Sequence, residues 1–169
     1  VSARKLWIAG VVGVAVVVFD HVTKAIVERS MTLYETIPLL PFFSLTYVRN
    51  TGAAFGILQD LPTGLRIPLF LGVTVLAVAA LVSYLRDARA EDTWMVAALG
   101  GILGGAAGNF IDRVRYGEVV DFLHLHYGGF DWPMFNVADS AITVGVAIVL
   151  LHSLRAQPDG KPAAATEAR

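Results

Sequence analysis

The stretch 119-VVDFLHLHYGGFDWPMFNVADS-140 decides how this chain reads. Near its two ends lie carboxylates, Asp121 in VVDF and Asp139 in FNVADS, and between them polar and aromatic residues with no long apolar run. Apolar segments flank it on both sides, each long enough to cross a bilayer. Two acids therefore sit at one edge of a membrane, one just before a span and one at the start of the next. Ionisable groups are costly near lipid, and where they occur they mark functional sites.

Composition supports a membrane setting. The 169 residues are 56% hydrophobic and 16% charged, with a mean hydropathy of +0.63. A soluble domain of this size seldom carries so much apolar surface. A net charge of −1 and no basic stripe exclude a nucleic-acid footprint. The absence of cysteine excludes disulfides, thiol catalysis and thiolate metal sites.

Working outward, spans are expected at about 6–27, 67–85, 94–111 and 137–154. The first follows Arg4 and Lys5 as a leader's apolar core would. It runs into Asp20, His21 and Lys24 rather than a small-residue cleavage site, so it reads as a retained span. Asp20 and Lys24 are four apart and share a helix face, either as a pair or with Lys24 reaching out to the headgroups. In residues 30–66, the alternation of Phe43, Leu45 and Tyr47 with Ser44, Thr46 and Val48 predicts a strand. Asn50–Gly52 then reads as a hairpin turn or as a place of close backbone approach. The third span carries Gly100, Gly104 and Gly108 at intervals of four, with Gly101 and Gly105 beside them, a stripe suited to close helix contact. It ends in Asn109, Asp112 and Arg113. If 118–126 is extended, Val119, Asp121, Leu123 and Leu125 share one face, and Asp121 meets an apolar surface that raises its pKa. Asn136 or Asp139 is placed to cap the fourth span.

The fold expected is thus an all-α polytopic membrane protein with four transmembrane helices. A small β-platform at about 30–66 and a second loop lie together on the outer side. Residues 1–155 form one membrane-embedded unit, and 156–169 (AQPDGKPAAATEAR) a disordered cytoplasmic tail. Lys and Arg are nearly balanced between the two sides, so the positive-inside rule is almost silent. Arg4 and Lys5 favour cytoplasmic termini, which places 28–66 and 112–136 outside. The polar ends of the first, third and fourth spans then meet at one interface.

Several chemistries are excluded by the letters. No GxSxG elbow and no HExxH pair occurs. His124 and His126 are two apart and read as loop residues rather than as a metal site; no metal or cofactor is expected. A proton relay needs polar groups at the bilayer midplane, which the second and fourth spans lack. A scaffold built on the glycine stripe leaves the polar motifs idle. What remains is the carboxylate pair, which in a partly dry site shares one proton and suits amide hydrolysis through a gem-diol.

The motifs FDHVTK (19–24), RNTGAAFG (49–56), GGAAGNFIDR (104–113), VVDF (119–122) and FNVADS (135–140), in this order among four spans, closely resemble lipoprotein signal peptidase, also called signal peptidase II. That family comprises aspartic peptidases of the bacterial inner membrane. The resemblance covers about residues 6–154. It implies that Asp121 and Asp139 are the catalytic pair, and that Asn50, Gly52, Phe55, Asn109, Arg113, Asn136, Asp20 and Lys24 bind substrate or support the site, with Asn50 and Arg113 holding the substrate backbone. Ala54, Gly105 and Ala138 are further motif positions. It implies substrates that are prolipoproteins carrying a diacylglyceryl group on the cysteine after the cleaved bond. It also implies contact with membrane lipids, multi-pass residence in the inner membrane, and an active site near the extracytoplasmic face. A monomer suffices, since the whole pair comes from one chain. Residues 30–66 and 124–135 are expected to flank the cleft, with Gly128–Gly129 as a lid hinge and Trp132 and Phe135 at headgroup depth.

Overall fold

The computed structural model describes residues 2–52, 58, 60–89 and 91–155. Four helices, α1 (Ala3–Ser30), α2 (Thr63–Asp87), α3 (Thr93–Tyr116) and α4 (Val137–Arg155), are each long and apolar enough to span a membrane. The connection from α1 to α2 carries β1 (Thr36–Leu40) and β2 (Phe43–Asn50), and that from α3 to α4 carries β3 (Val119–Tyr127) and β4 (Phe130–Asp131). The strands form one antiparallel sheet in the order β1-β2-β3-β4. The expected tail at 156–169 and the motif positions Ala54 and Phe55 lie outside the described residues.

The central helix is α3, which packs against α1, α2 and α4. The most apolar stretch of α3 is 61% buried within the protein, against 11% or less in the other three helices. Its glycines explain this. A Cβ added to Gly100 would lie 2.6 Å from the Ala9 carbonyl oxygen, and one on Gly104 would lie 2.5 Å from that of Gly13. Gly105 meets the Ala138 carbonyl of α4 just as closely. Between lipid-exposed helices, such backbone contact supplies the packing that hydrophobic burial cannot.

The structure extends the expected third span. Nothing between Asn109 and Tyr116 breaks a helix, so α3 runs on to Gly117, whose left-handed backbone (φ 75°) ends it. Asn109, Asp112 and Arg113 therefore ride on the last turns of α3 rather than on a loop.

The expected second loop carries a strand. Residues 119–127 form a strand paired directly with β2, in a register that sets Val48 opposite Asp121 and Asn50 opposite Val119. The β-platform expected beside the four helices thus extends into the second loop as one sheet. β2 ends at Asn50, whose Oδ1 accepts the Gly52 N–H at 2.9 Å, and among the described residues no strand follows it before α2. The alternation at 118–126 is that of an extended segment, while its partner, β2, lies two spans earlier in the chain. Val120 and Phe122 pack with Val27, Met31 and Tyr47, which seats the sheet on the end of α1. Arg49 strengthens that seat, donating to Glu28 at 2.6 Å and to the Tyr47 hydroxyl at 2.9 Å.

At the opposite end of the bundle, Lys5 is not the free basic residue that the orientation argument counts. It is buried, and its ammonium donates to the carbonyls of Leu85 (3.1 Å), Arg86 (2.8 Å) and Ala88 (2.7 Å) at the C-terminus of α2. A cation there complements the negative end of the helix.

The close helix contacts make a test. Gly104→Ala forces Gly13 backbone away from α3 and is expected to destabilise the protein by about 1–3 kcal/mol. Gly72→Ala, with open space around it, is expected to leave the thermal unfolding midpoint in detergent within a degree or two.

Candidate active site

Asp121 points from β3 into a cavity of about 950 Å³. Asp139 enters the same cavity from the first turn of α4, along with Asn50, Asn109, Arg113, Leu125, Trp132, Phe135 and Ile142. The two acids, eighteen positions apart in the chain, are thus brought together by strand and helix start. Of the stretches expected to flank the cleft, 30–66 contributes residues 48–51 to its lining, and 124–135 contributes 125 and 132–135.

Each carboxylate is held by amides. Asp121 Oδ2 accepts from Asn50 Nδ2 at 2.8 Å, and its Oδ1 accepts from Asn136 Nδ2 at 2.7 Å. Asp139 Oδ1 accepts from Asn109 Nδ2 at 2.7 Å, and its Oδ2 accepts the Asn136 N–H at 3.2 Å. In return, Asn136 Oδ1 accepts the Asp139 N–H at 2.9 Å. This reciprocal pair is a capping box, so Asp139 helps cap α4 and faces the cavity at once. Asn136 is fully buried, and its side chain links the two acids, donating to the Asp121 carboxylate and accepting the Asp139 backbone N–H.

Burial pushes the Asp121 carboxyl up to about 7, and the nearby Asp139 adds to the rise. Hydrogen bonds from Asn50 and Asn136 and the charge of Lys24 oppose it. Arg113 lies over the Phe70 ring at 4.9 Å and donates to the Gly52 carbonyl at 3.2 Å, bracing the loop after β2. The amide of Asn50, expected to hold substrate, is committed to Asp121.

Asp20 and Lys24 do pair. Lys24 Nζ sits 2.7 Å from Asp20 Oδ2, and both side chains are buried rather than reaching toward headgroups. The ammonium is also 2.7 Å from Asp112 Oδ2. Asp112 is the residue that sequence reasoning left without a role. Its spacing from Asn109, three positions along a helix, was the available signal, but only the packing of α1 on α3 reveals the partner. His124 and His126 lie on the other face of the sheet, bonded to Thr46, Ser44 and Asp131.

A family model described as Signal peptidase (SPase) II matches residues 12–155. The chain belongs to the signal peptidase II family. The lipoprotein signal peptidase of Syntrophotalea carbinolica is 50% identical over 141 residues, spanning 83% of this chain and 86% of that one. That of Geobacter metallireducens is 47% identical over 139 residues, spanning 82% and 85%. A solved bacterial membrane enzyme superposes with a TM-score of 0.79 at 36% identity, covering 91% of this chain and 94% of that chain. A second gives 0.77 at 38%, covering 88% and 94%. As a member of signal peptidase II, the chain is a protease and a multi-pass bacterial membrane protein.

The position of Asn136 yields an expected outcome. Asn136→Ala orphans a buried carboxylate oxygen and removes the cap of α4, costing about 1–3 kcal/mol. Thermal unfolding in detergent checks it, and a midpoint equal to the parent's contradicts the assignment of Asn136 as the link between the acids.

Proposed function

We propose that this protease removes the signal peptide from diacylglyceryl-modified prolipoproteins, cutting before the lipidated cysteine with a water activated between Asp121 and Asp139. The observation that carries the reading is the convergence of both carboxylates on one cavity, each held from behind by amide donors. Two such acids cannot both ionise cheaply and share a proton.

Asp121, with its pKa near 7, carries that proton at rest. Asp139 stands at the N-terminus of α4, where the helix dipole favours an anion. The water loses a proton to Asp139 and attacks the scissile carbonyl carbon, while Asp121 protonates the carbonyl oxygen, giving a gem-diol. Asp139 then passes its proton to the leaving nitrogen, and a gem-diol hydroxyl returns one to Asp121 as the C–N bond breaks. No covalent intermediate forms. The active site faces the extracytoplasmic side, with both termini cytoplasmic. Acyl chains retained in the bilayer would hold the scissile bond at the membrane edge, a positioning effect that lowers the barrier without added contacts. One chain supplies every group, so a monomer is sufficient.

The direct test is cleavage of a lipidated prolipoprotein by the purified protein in detergent, beside the unlipidated precursor. Only the lipidated form is expected to be cut. Asp121→Asn and Asp139→Asn are each expected to lower kcat by at least about 10³-fold while remaining folded; near-normal turnover in either removes the pair from the mechanism.

The pH profile follows from Asp121. Below about 7 its carboxyl holds the shared proton; above, both acids are anions and no group is left to protonate the carbonyl oxygen. Plotted against pH, kcat is expected to fall on an alkaline limb centred near 7. A rate rising steadily to pH 9 contradicts the assignment of Asp121 as the acid.

A further inference from the structure

We propose that Lys24 is a positioning residue whose buried ammonium aligns both acids through three arms, each ending on a reacting aspartate or on the residue just before one. The proposal rests on the reading of Asp121 and Asp139 as the reacting pair.

An ammonium has three donors and no acceptor, and here Nζ has three polar contacts, two ion pairs with carboxylates and one hydrogen bond to an amide. The first is the ion pair with Asp20 Oδ2 at 2.7 Å, and the other oxygen of Asp20 accepts the Ala138 N–H at 2.9 Å. Ala138 immediately precedes Asp139. The second is the ion pair with Asp112 Oδ2 at 2.7 Å, and that oxygen accepts the Val120 N–H at 3.5 Å. Val120 immediately precedes Asp121. The third is donated to Asn109 Oδ1 at 3.2 Å, and Asn109 Nδ2 donates in turn to Asp139 Oδ1 at 2.7 Å.

The third arm makes a sharper claim than general support. A side-chain amide can turn over and exchange its oxygen with its nitrogen, and only its neighbours choose between the two. Asn109 Oδ1 receives Lys24 and also Asn136 Nδ2, at 3.1 Å. Turned over, Asn109 would set its NH2 against the ammonium and its oxygen against the Asp139 carboxylate. Lys24 thereby forces a donor toward Asp139. Gly108 leaves the room this needs, since a Cβ there would lie 2.8 Å from Asp20 Oδ2. The charged and titratable groups around Lys24 are Asp20 and Asp112 in contact, His21 with Nδ1 3.5 Å from Asp20, Asp139 across Asn109, and Asp121 beyond Asn136.

Removing the charge alone strands two buried carboxylates, so Lys24→Met is expected to fold poorly. The informative variant is Lys24→Met with Asp20→Asn and Asp112→Asn. It is neutral at the hub and keeps oxygens for the Ala138 and Val120 N–H groups, but gives Asn109 no ammonium. It is expected to unfold near the parent's temperature, to lose kcat about 30-fold or more, and to keep KM within about twofold. Asn109→Ala in the parent is expected to lose kcat comparably. Added to the triple variant, it is expected to lower kcat no further, because both changes cut one chain of contacts. A triple variant with kcat within threefold of the parent overturns the proposal, as do losses that multiply when Asn109→Ala is added. Near-parental kcat in Asn109→Ala overturns it whatever the fold of the Lys24 variants. Asp139→Asn, measured beside them, separates the two levels. If it keeps turnover, the reading of the pair itself fails. If it is inactive while the triple variant is fully active, only the role of Lys24 fails.

Discussion

Backbone contact between α3 and its neighbours is the constraint on which the site depends. Gly100 and Gly104 bring α1 against α3, and Gly105 brings α4 against its other side. At that separation the short side chain of Asp20 spans from α1 to the first turn of α4, and Lys24 reaches two residues of α3 at once. With larger residues at the crossings, the polar groups would stand too far apart to satisfy one another, and a buried polar group without a partner is costly. The glycines thus carry no chemistry but set every distance within which chemistry is possible.

The sheet solves a complementary problem. A carboxylate on a flexible loop would not be held against one on a helix terminus. Placing Asp121 on a strand, with Val120 and Phe122 packed on the end of α1 and Asn50 beside it on the neighbouring strand, ties it to the helical bundle. The site is built where three kinds of order meet: a strand, a helix start and the last turns of a long helix. Its opposite face stays open as a cavity walled by Leu125, Trp132, Phe135 and Ile142.

The sequence made some of this plain and hid the rest, for physical reasons. Long apolar runs and the four-residue glycine spacing are local signals, and the four helices and close packing followed from them. The two acids stood out because charge at a membrane edge is costly. Less could be read where a residue's meaning lies in a partner distant in the chain. Asp112 and Arg113, adjacent in sequence, point apart on a helix, one to Lys24 and the other to the cavity. Residues 119–127 alternate as a strand, but no local pattern says that they pair with 43–50. Asn136 and Asp139 looked like competing candidates for one cap; the reciprocal bonds between them make cap and site the same structure. Lys5 looked like a topology signal and proved to be a clamp on another helix.

The pairing of β2 with β3 also has a consequence for biogenesis. Asn50 and Asp121 are 71 positions apart, and two full spans are synthesised between them. When β2 leaves the membrane-insertion machinery it has β1 on one edge and nothing on the other. Its second partner does not exist until α3 is in place and the following connection has crossed. The last contributor, Asp139, arrives only with α4. On the proposed reading of Asp121 and Asp139, a nascent chain of this protein carries no assembled site through most of its synthesis, and hydrolytic competence comes only with the final span. The order of translation itself keeps a half-made protease silent.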